Sequence, residues 1–315
     1  MNPFPISDVL FYALCVIFAV LVFASGTIAV LGWRFPQKDW LELRQRVRTW
    51  WWIVAVFVLA ISVNRAVSLL VMGFVSFLAF KEYLTLVPTR RADHLPLLWA
   101  YLAIPIQYFW IWDGWYGMFI IFIPVYAFLF LPMRMVLIGD TQGFLRAAST
   151  LHWGLMTTVF SLSHMAYLLV LPTDVTGSMK GDGALLVLFL VVLTQFNDVA
   201  QYLWGKSLGR AKIIPKVSPN KTVAGMLGGA LTTTLLGLML GPILTPMSVE
   251  HSAMAGLLIG LTGFVGDVVM SAVKRDLGVK DSGDLLPGHG GILDRLDSLT
   301  YTAPLFFHFL RYLYY

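Results

Sequence analysis

Residues 254–298 read MAGLLIGLTGFVGDVVMSAVKRDLGVKDSGDLLPGHGGILDRLDS. The first twenty positions, 254–273, carry one charge, Asp267. The next 24 positions carry nine: Lys274, Arg275, Asp276, Lys280, Asp281, Asp284, Asp294, Arg295 and Asp297. An unbroken apolar run of about 20 residues is the length a helix needs to cross a bilayer. The run does not alternate as a barrel strand would, and lipid admits only helices or closed barrels. The stretch therefore reads as a membrane helix that emerges into a dense polar loop.

The pattern recurs along the chain. Hydrophobic residues make up 58% of the 315 and charged residues 12%, about half the charge of an average soluble chain. Apolar segments fall at 8–33, 51–63, 66–80, 96–112, 115–132, 148–171, 184–201, 222–240, 254–273 and 298–315. We expect an all-α polytopic membrane protein with about 10 transmembrane helices. The first segment lacks a basic leader and a small-residue cleavage pattern, so it reads as a retained helix. The stretch 51–80 is divided at Asn64-Arg65, because one long helix would place Arg65 at the bilayer centre, at about 2.5–3.5 kcal/mol. The single cysteine, Cys15, excludes an internal disulfide framework and a Cys-based metal site.

Nineteen of the 22 Lys and Arg residues fall in alternate connections, 34–50, 81–95, 133–147, 202–221 and 274–297. The opposite connections hold Arg65 and Lys180, and Arg311 lies in the last segment. The positive-inside rule makes the basic side cytoplasmic and puts the N-terminus outside. The net charge of +5 is thus a property of loops at a membrane face, and no nucleic-acid partner is expected. Gly225 and Gly229, Gly237 and Gly241, and Gly256 and Gly260 have the spacing of close helix contacts. We divide the chain into N-terminal helices, 1–183, and a C-terminal region, 184–315, whose loops 202–221 and 274–297 carry the chemistry.

Asp267, Ser271 and Lys274 share one helix face, at i, i+4 and i+7. Asp294 and Asp297, three apart, are expected on the first turn of the last helix. Asp198 ends another helix on the same side. Carboxylates that converge without His or Cys suit a hard, oxygen-seeking cation such as Mg²⁺, alone or with a second cation. Between them lies PGHGG, 287–291, in which Gly288, Gly290 and Gly291 permit an N–H nest for an anion. With Lys274, Arg275, Lys280 and Arg295 around it, the turn reads as a phosphate site, with His289 as a phosphate contact or proton carrier. The 202–221 loop adds five basic residues and the run Ser218-Pro-Asn-Lys221-Thr222. The other five histidines have no ligand spacing. These parts suit phosphoryl or nucleotidyl transfer on a lipid, where metal and cationic side chains offset two anionic reactants.

The stretch Ser271–Asp297 resembles the signature of the phosphatidate cytidylyltransferases, or CDP-diacylglycerol synthases. Its elements are Ser271, Lys274-Arg275, Lys280-Asp281, Pro287 to Gly291, Asp294-Arg295 and Asp297. The upstream loop is similar through Asp198, Tyr202, Gly205, Gly209, Ser218-Pro219 and Lys221-Thr222. The resemblance covers about 184–315; the N-terminal half shares only its multi-helical character. Ala224 stands where the family usually has Glu. The resemblance implies attack of the phosphatidate phosphate on the α-phosphorus of CTP, giving CDP-diacylglycerol and pyrophosphate in phospholipid biosynthesis. It implies Asp267 and Asp294 as leading Mg²⁺ ligands, supported by Asp297 and Asp198. Lys221, Lys274, Arg275 and Lys280 would hold phosphates, and Ser271 and Asp281 would orient neighbours or nucleotide. Ser218, Gly290, Gly291 and Arg295 would complete the substrate site, in a homodimer of a bacterial inner membrane facing the cytoplasm. Other CTP-using lipid enzymes, such as a CDP-archaeol synthase or a polyprenol kinase, have similar needs. An ion-coupled transporter would instead place its acids near the bilayer midplane.

Overall fold

The computed structural model describes residues 7–90, 93–172 and 182–315, so Arg91 and Lys180 of the charge count lie outside the described residues. The described chain is helical. The helices are α1 (Asp8–Arg34), α2 (Leu41–Ser62), α3 (Arg65–Leu86), α4 (His94–Asp113), α5 (Tyr116–Ile121), α6 (Phe128–Val136), α7 (Phe144–Gly154), α8 (Ser161–Leu168), α9 (Gly183–Leu208), α10 (Val223–Leu244), α11 (Val249–Asp276), α12 (Leu293–Leu296) and α13 (Leu299–Tyr314). π-helical segments, Phe122–Ala127 and Leu155–Phe160, join α5 to α6 and α7 to α8 into continuous rods. Among the described residues, seven helical stretches are long and apolar enough to cross a membrane, against about 10 expected: α1, α3, α4, the α5–α6 rod, α9, α10 and α11; the segments 51–63, 148–171 and 298–315 are not among them.

Side-chain caps start the spans where the sequence turns polar. Ser7 accepts from the Leu10 N–H at 3.3 Å, Asp182 from Ala184 at 3.1 Å, Thr222 from Gly225 at 3.0 Å and Ser248 from His251 at 3.2 Å. Each satisfies an amide that has no partner within its helix. At the expected break after Ser62, Asn64 accepts from the Val67 N–H at 2.9 Å and starts α3. Arg65 then reaches the carbonyls of Ile111 and Trp112, at 2.9 and 2.5 Å, at the end of α4. Its donors are satisfied beside a helix terminus and not in hydrocarbon.

Helices run past their apolar segments. α2 starts ten residues before the apolar run at 51, α3 continues to Leu86, α9 to Leu208 and α11 to Asp276. Residues 202–208, expected in a loop, are therefore helical. Apolarity marks the depth of lipid, whereas the backbone ladder ends where capping and packing end it.

α9, α10 and α11 pack closely through glycine. A Cβ on Gly237 would stand 2.5 Å from the Ser252 carbonyl oxygen, and one on Gly256 2.5 Å from that of Thr233. Asn197, fully buried in the same seam, donates to the Gly260 carbonyl at 3.2 Å and accepts from Thr233 Oγ1 at 3.1 Å. α13 packs on α11 and α8, and α12 on α3, so the two halves of the chain form one unit.

Contacts between connections gather the basic loops at one end of the bundle. Thr49 Oγ1 donates to the Pro287 carbonyl at 2.7 Å. Arg275 Nε donates to Val217 at 3.4 Å. Arg90 Nη1 reaches the carbonyls of Asp140 and Gln142 at 3.1 and 2.7 Å. Glu82 joins the 81–95 connection to the 274–297 loop. Arg65 marks the other end.

Candidate active site

On α11, Ser271 Oγ donates to Asp267 Oδ1 at 3.2 Å, the i, i+4 relation expected from the sequence. The other Asp267 oxygen forms an ion pair with Lys221. Lys221 also donates to Gln201 Oε1, at 2.9 Å, and lies 5.6 Å from the Phe264 ring centroid. Asp198 accepts from Ser298 Oγ, at 3.1 and 3.2 Å to its two oxygens. Asp297 accepts from the Ser298 N–H at 2.8 Å. Burial, together with the negative charges of Asp267 and Asp198, pushes the Asp297 carboxyl up to about 8. Asp198, Asp267 and Asp297 thus share one electrostatic environment, with Lys221 as the ammonium paired within it.

Asp294 belongs elsewhere. Its Oδ1 accepts from Lys274 at 2.7 Å; its Oδ2 accepts from the N–H groups of Ser282 and Gly291, at 2.8 and 2.9 Å. Burial pushes this carboxyl up, but Lys274 and the two backbone donors outweigh it and hold it below its ordinary value. The expected pairing of Asp267 with Asp294 is replaced by two ion pairs, Lys221–Asp267 and Lys274–Asp294. The reason lies in the chain path. Residues 293–296 form a separate single turn and α13 starts at Leu299, so Asp294 and Asp297 are not on the first turn of one helix.

The glycine turn is also filled from within. Gly288 and Gly290 have φ of 77° and 79°, as their position in the turn requires. Leu286 N–H donates to the Gly290 carbonyl at 2.9 Å and His289 N–H to that of Leu286 at 2.8 Å. The Gly291 N–H, expected to face a phosphate, serves Asp294. The anion cradled here is the chain's own carboxylate, which satisfies the buried donors without a ligand.

His289 meets the Trp50 ring edge to face, with centroids 5.9 Å apart. Burial, reinforced by the charges of Arg295 and Arg46, lowers its pKa, so the ring is neutral at pH 7 and is not a fixed countercharge. Arg295 Nε is buried and lacks a hydrogen-bond partner among the described residues. Arg275 Nη1 donates to Val279 at 3.1 Å. Ser218 is half-buried, while Lys280 and Asp281 are exposed. Of the residues absent from the sequence reading, Glu82, Gln201, Asn197 and Ser298 make the contacts that hold the site. Each is an ordinary polar residue, and no local spacing distinguishes it.

The donor set supports an oxygen-seeking ion by its chemistry: carboxylates with hydroxyl and amide oxygens, and no thiolate or imidazole. Among the described residues, no three of Asp, Glu, His and Cys converge closely enough to hold an ion as they stand.

The fold and this end define a class: a helical protein of membrane character with buried carboxylates and ion-paired lysines gathered at one end. The chain belongs to the cytidylyltransferase family, whose model matches residues 44–313. It is 51% identical over 300 residues to "Uncharacterized protein YnbB" of Escherichia coli (strain K12), covering 95% of this chain and 98% of that one. A phosphatidate cytidylyltransferase of Staphylococcus epidermidis (strain ATCC 35984) is 38% identical over 127 residues, 40% of this chain and 49% of the relative. One of Synechocystis sp. (strain ATCC 27184) is 47% identical over 114 residues, 36% of this chain and 39% of the relative. The similarity thus spans less than half the length of each named enzyme.

Proposed function

We propose that the protein transfers the cytidylyl group of CTP to phosphatidate, releasing pyrophosphate and leaving CDP-diacylglycerol in the membrane. A phosphate oxygen of the lipid attacks the α-phosphorus, and the bond to the β-phosphate breaks. The observation that carries this reading is the coexistence, at one end, of cations with carboxylates that have no ion pair among the described residues, Asp198 and Asp297. The negative charges of Asp267 and Asp198 add to the cost of ionising Asp297, and among the described residues Asp267 is the one of the three with an ion pair, to Lys221. These three carboxylates would hold Mg²⁺ after drawing closer together than they stand, and the ion would offset charge on the triphosphate.

The chain's own residues supply the rest. Lys274 is held in place by Asp294, and Arg275 by two loop carbonyls, so both cations have defined positions for phosphate oxygens. Arg295 keeps a donor without a partner among the described residues. Lys280 is exposed beside them in the sequence. The site is read as facing the cytoplasm of a bacterial inner membrane, because the basic loops gather there. The experiment is transfer of label from α-labelled CTP into the organic phase with purified protein, Mg²⁺ and a panel of lipid phosphates. Label in a CDP-lipid, with release of pyrophosphate, supports the proposal; a phosphorylated lipid with CDP released would make the protein a kinase instead.

A further inference from the structure

Glu82 lies on α3, in the half of the chain that carries no recognised motif, yet its carboxylate is enclosed by the 282–293 loop. It is 9% exposed. Its Oε1 accepts from Ser282 Oγ at 2.5 Å and from the Leu293 N–H at 3.0 Å. Its Oε2 accepts from the Ile292 N–H at 2.8 Å. Gly291 lies so close that a Cβ there would collide with Oε1. A buried carboxylate is costly unless its lone pairs are met, and here three donors meet them.

The donors have a common feature. Ser282 begins the segment that carries the glycine turn, and Ile292 and Leu293 end it. Ser282 also gives its N–H to Asp294, the residue that holds Lys274. A chain of contacts thus runs from α3 through Ser282 and Asp294 to the Lys274 ammonium. We propose that Glu82 is a positioning residue: it closes the 282–293 loop at both ends and, through Ser282 and Asp294, sets Lys274 for transfer. The effect on transfer rests on the cytidylyltransferase reading above; the closure of the loop does not.

Glu82→Gln tests this because the amide is nearly isosteric but cannot make the same bonds. In one orientation its NH₂ faces the Ile292 N–H, and in the other it faces the Leu293 N–H. Either way a donor meets a donor. The experiment uses the full-length protein in detergent, with hydrogen exchange followed by peptide mass spectrometry and steady-state transfer from labelled CTP. Glu82→Gln should speed exchange at Ile292 and Leu293 by about tenfold or more, as loss of a charge-assisted hydrogen bond implies. Exchange in α9, α10 and α11 should stay at the wild-type rate. Turnover should fall by about tenfold or more, with a smaller rise in the KM for CTP. Ser282→Ala, which removes one contact, should shift both readouts the same way by about threefold. It carries the test if Glu82→Gln does not fold. Glu250→Gln, at the exposed start of α11, should match wild type in both. Wild-type exchange at 292–293 in Glu82→Gln would overturn the proposal. So would an equal rise throughout the helices, or full turnover with an opened loop. A wild-type protein that labels no lipid phosphate would defeat the transfer reading alone, since the exchange data would still decide the loop closure.

Discussion

Asp294→Asn should cost stability, and Asp267→Asn much less. The Lys274 and Asp294 side chains are 13% and 6% exposed. Removing the charge of Asp294 leaves the ammonium buried without a partner. Asparagine cannot repair this: its NH₂ must face either Lys274 Nζ or the N–H groups of Ser282 and Gly291. Breaking a buried pair from one side costs about 3–5 kcal/mol, and the partial exposure of Lys274 favours the low end, about 3 kcal/mol. For a chain of this size that corresponds to a loss of roughly 4–5 °C in melting temperature. The Lys221–Asp267 side chains are 19% and 23% exposed, and solvent screening brings the expected cost of that substitution to about 1 kcal/mol. The assay is thermal unfolding in one detergent at a fixed scan rate, with turnover measured in parallel. Lys274→Met combined with Asp294→Asn should recover part of the loss, because the amide oxygen can then accept from Ser282 and Gly291 while its NH₂ no longer meets an ammonium. The pH dependence has a definite sign. The folded carboxyl is held below its ordinary value of 3.8, so its contribution is complete above that value and is lost as pH falls through the lowered one. Wild type should therefore lose stability below about pH 4 more steeply than Asp294→Asn. An Asp294→Asn protein that melts with wild type, or a double variant less stable than the single, would refute the clamp.

Three further outcomes are expected. Transfer should stop when divalent cations are chelated and return with Mg²⁺ but not Zn²⁺; activity that survives chelation would remove the ion from Asp198, Asp267 and Asp297. With Cys15 replaced, Leu208→Cys and Leu285→Cys, 60% and 57% exposed, should be labelled by an impermeant maleimide only from the cytoplasmic side, and external labelling would invert the orientation. Gly256→Ala sets a methyl 2.5 Å from the Thr233 carbonyl oxygen and should destabilise by about 1–3 kcal/mol through overpacking; an unchanged melting temperature would mean the α10–α11 contact is looser than described.

Much of the molecule follows from local sequence. Long apolar runs locate seven of the expected spans among the described residues, because lipid forbids unpaired backbone groups whatever the tertiary fold. The break at Asn64 was equally legible, since a capping side chain stands beside an arginine that cannot lie at midplane. The glycine pairs of α10 and α11 foretold close packing through their spacing alone, and the 27-residue signature located the charged face. The partners within that face were decided only by the tertiary structure. Asp267 and Asp294 look equivalent in sequence, but the approach of Lys221 from one loop and Lys274 from α11 gives them separate counterions. The glycine turn looks like an empty anion nest until the fold brings Asp294 into it and Glu82 beside it, the latter from 200 residues away in the chain. Spacing encodes which residues share a helix face. Which buried carboxylate satisfies which backbone donor depends on how separate helix ends meet, and that is a property of the packed molecule alone.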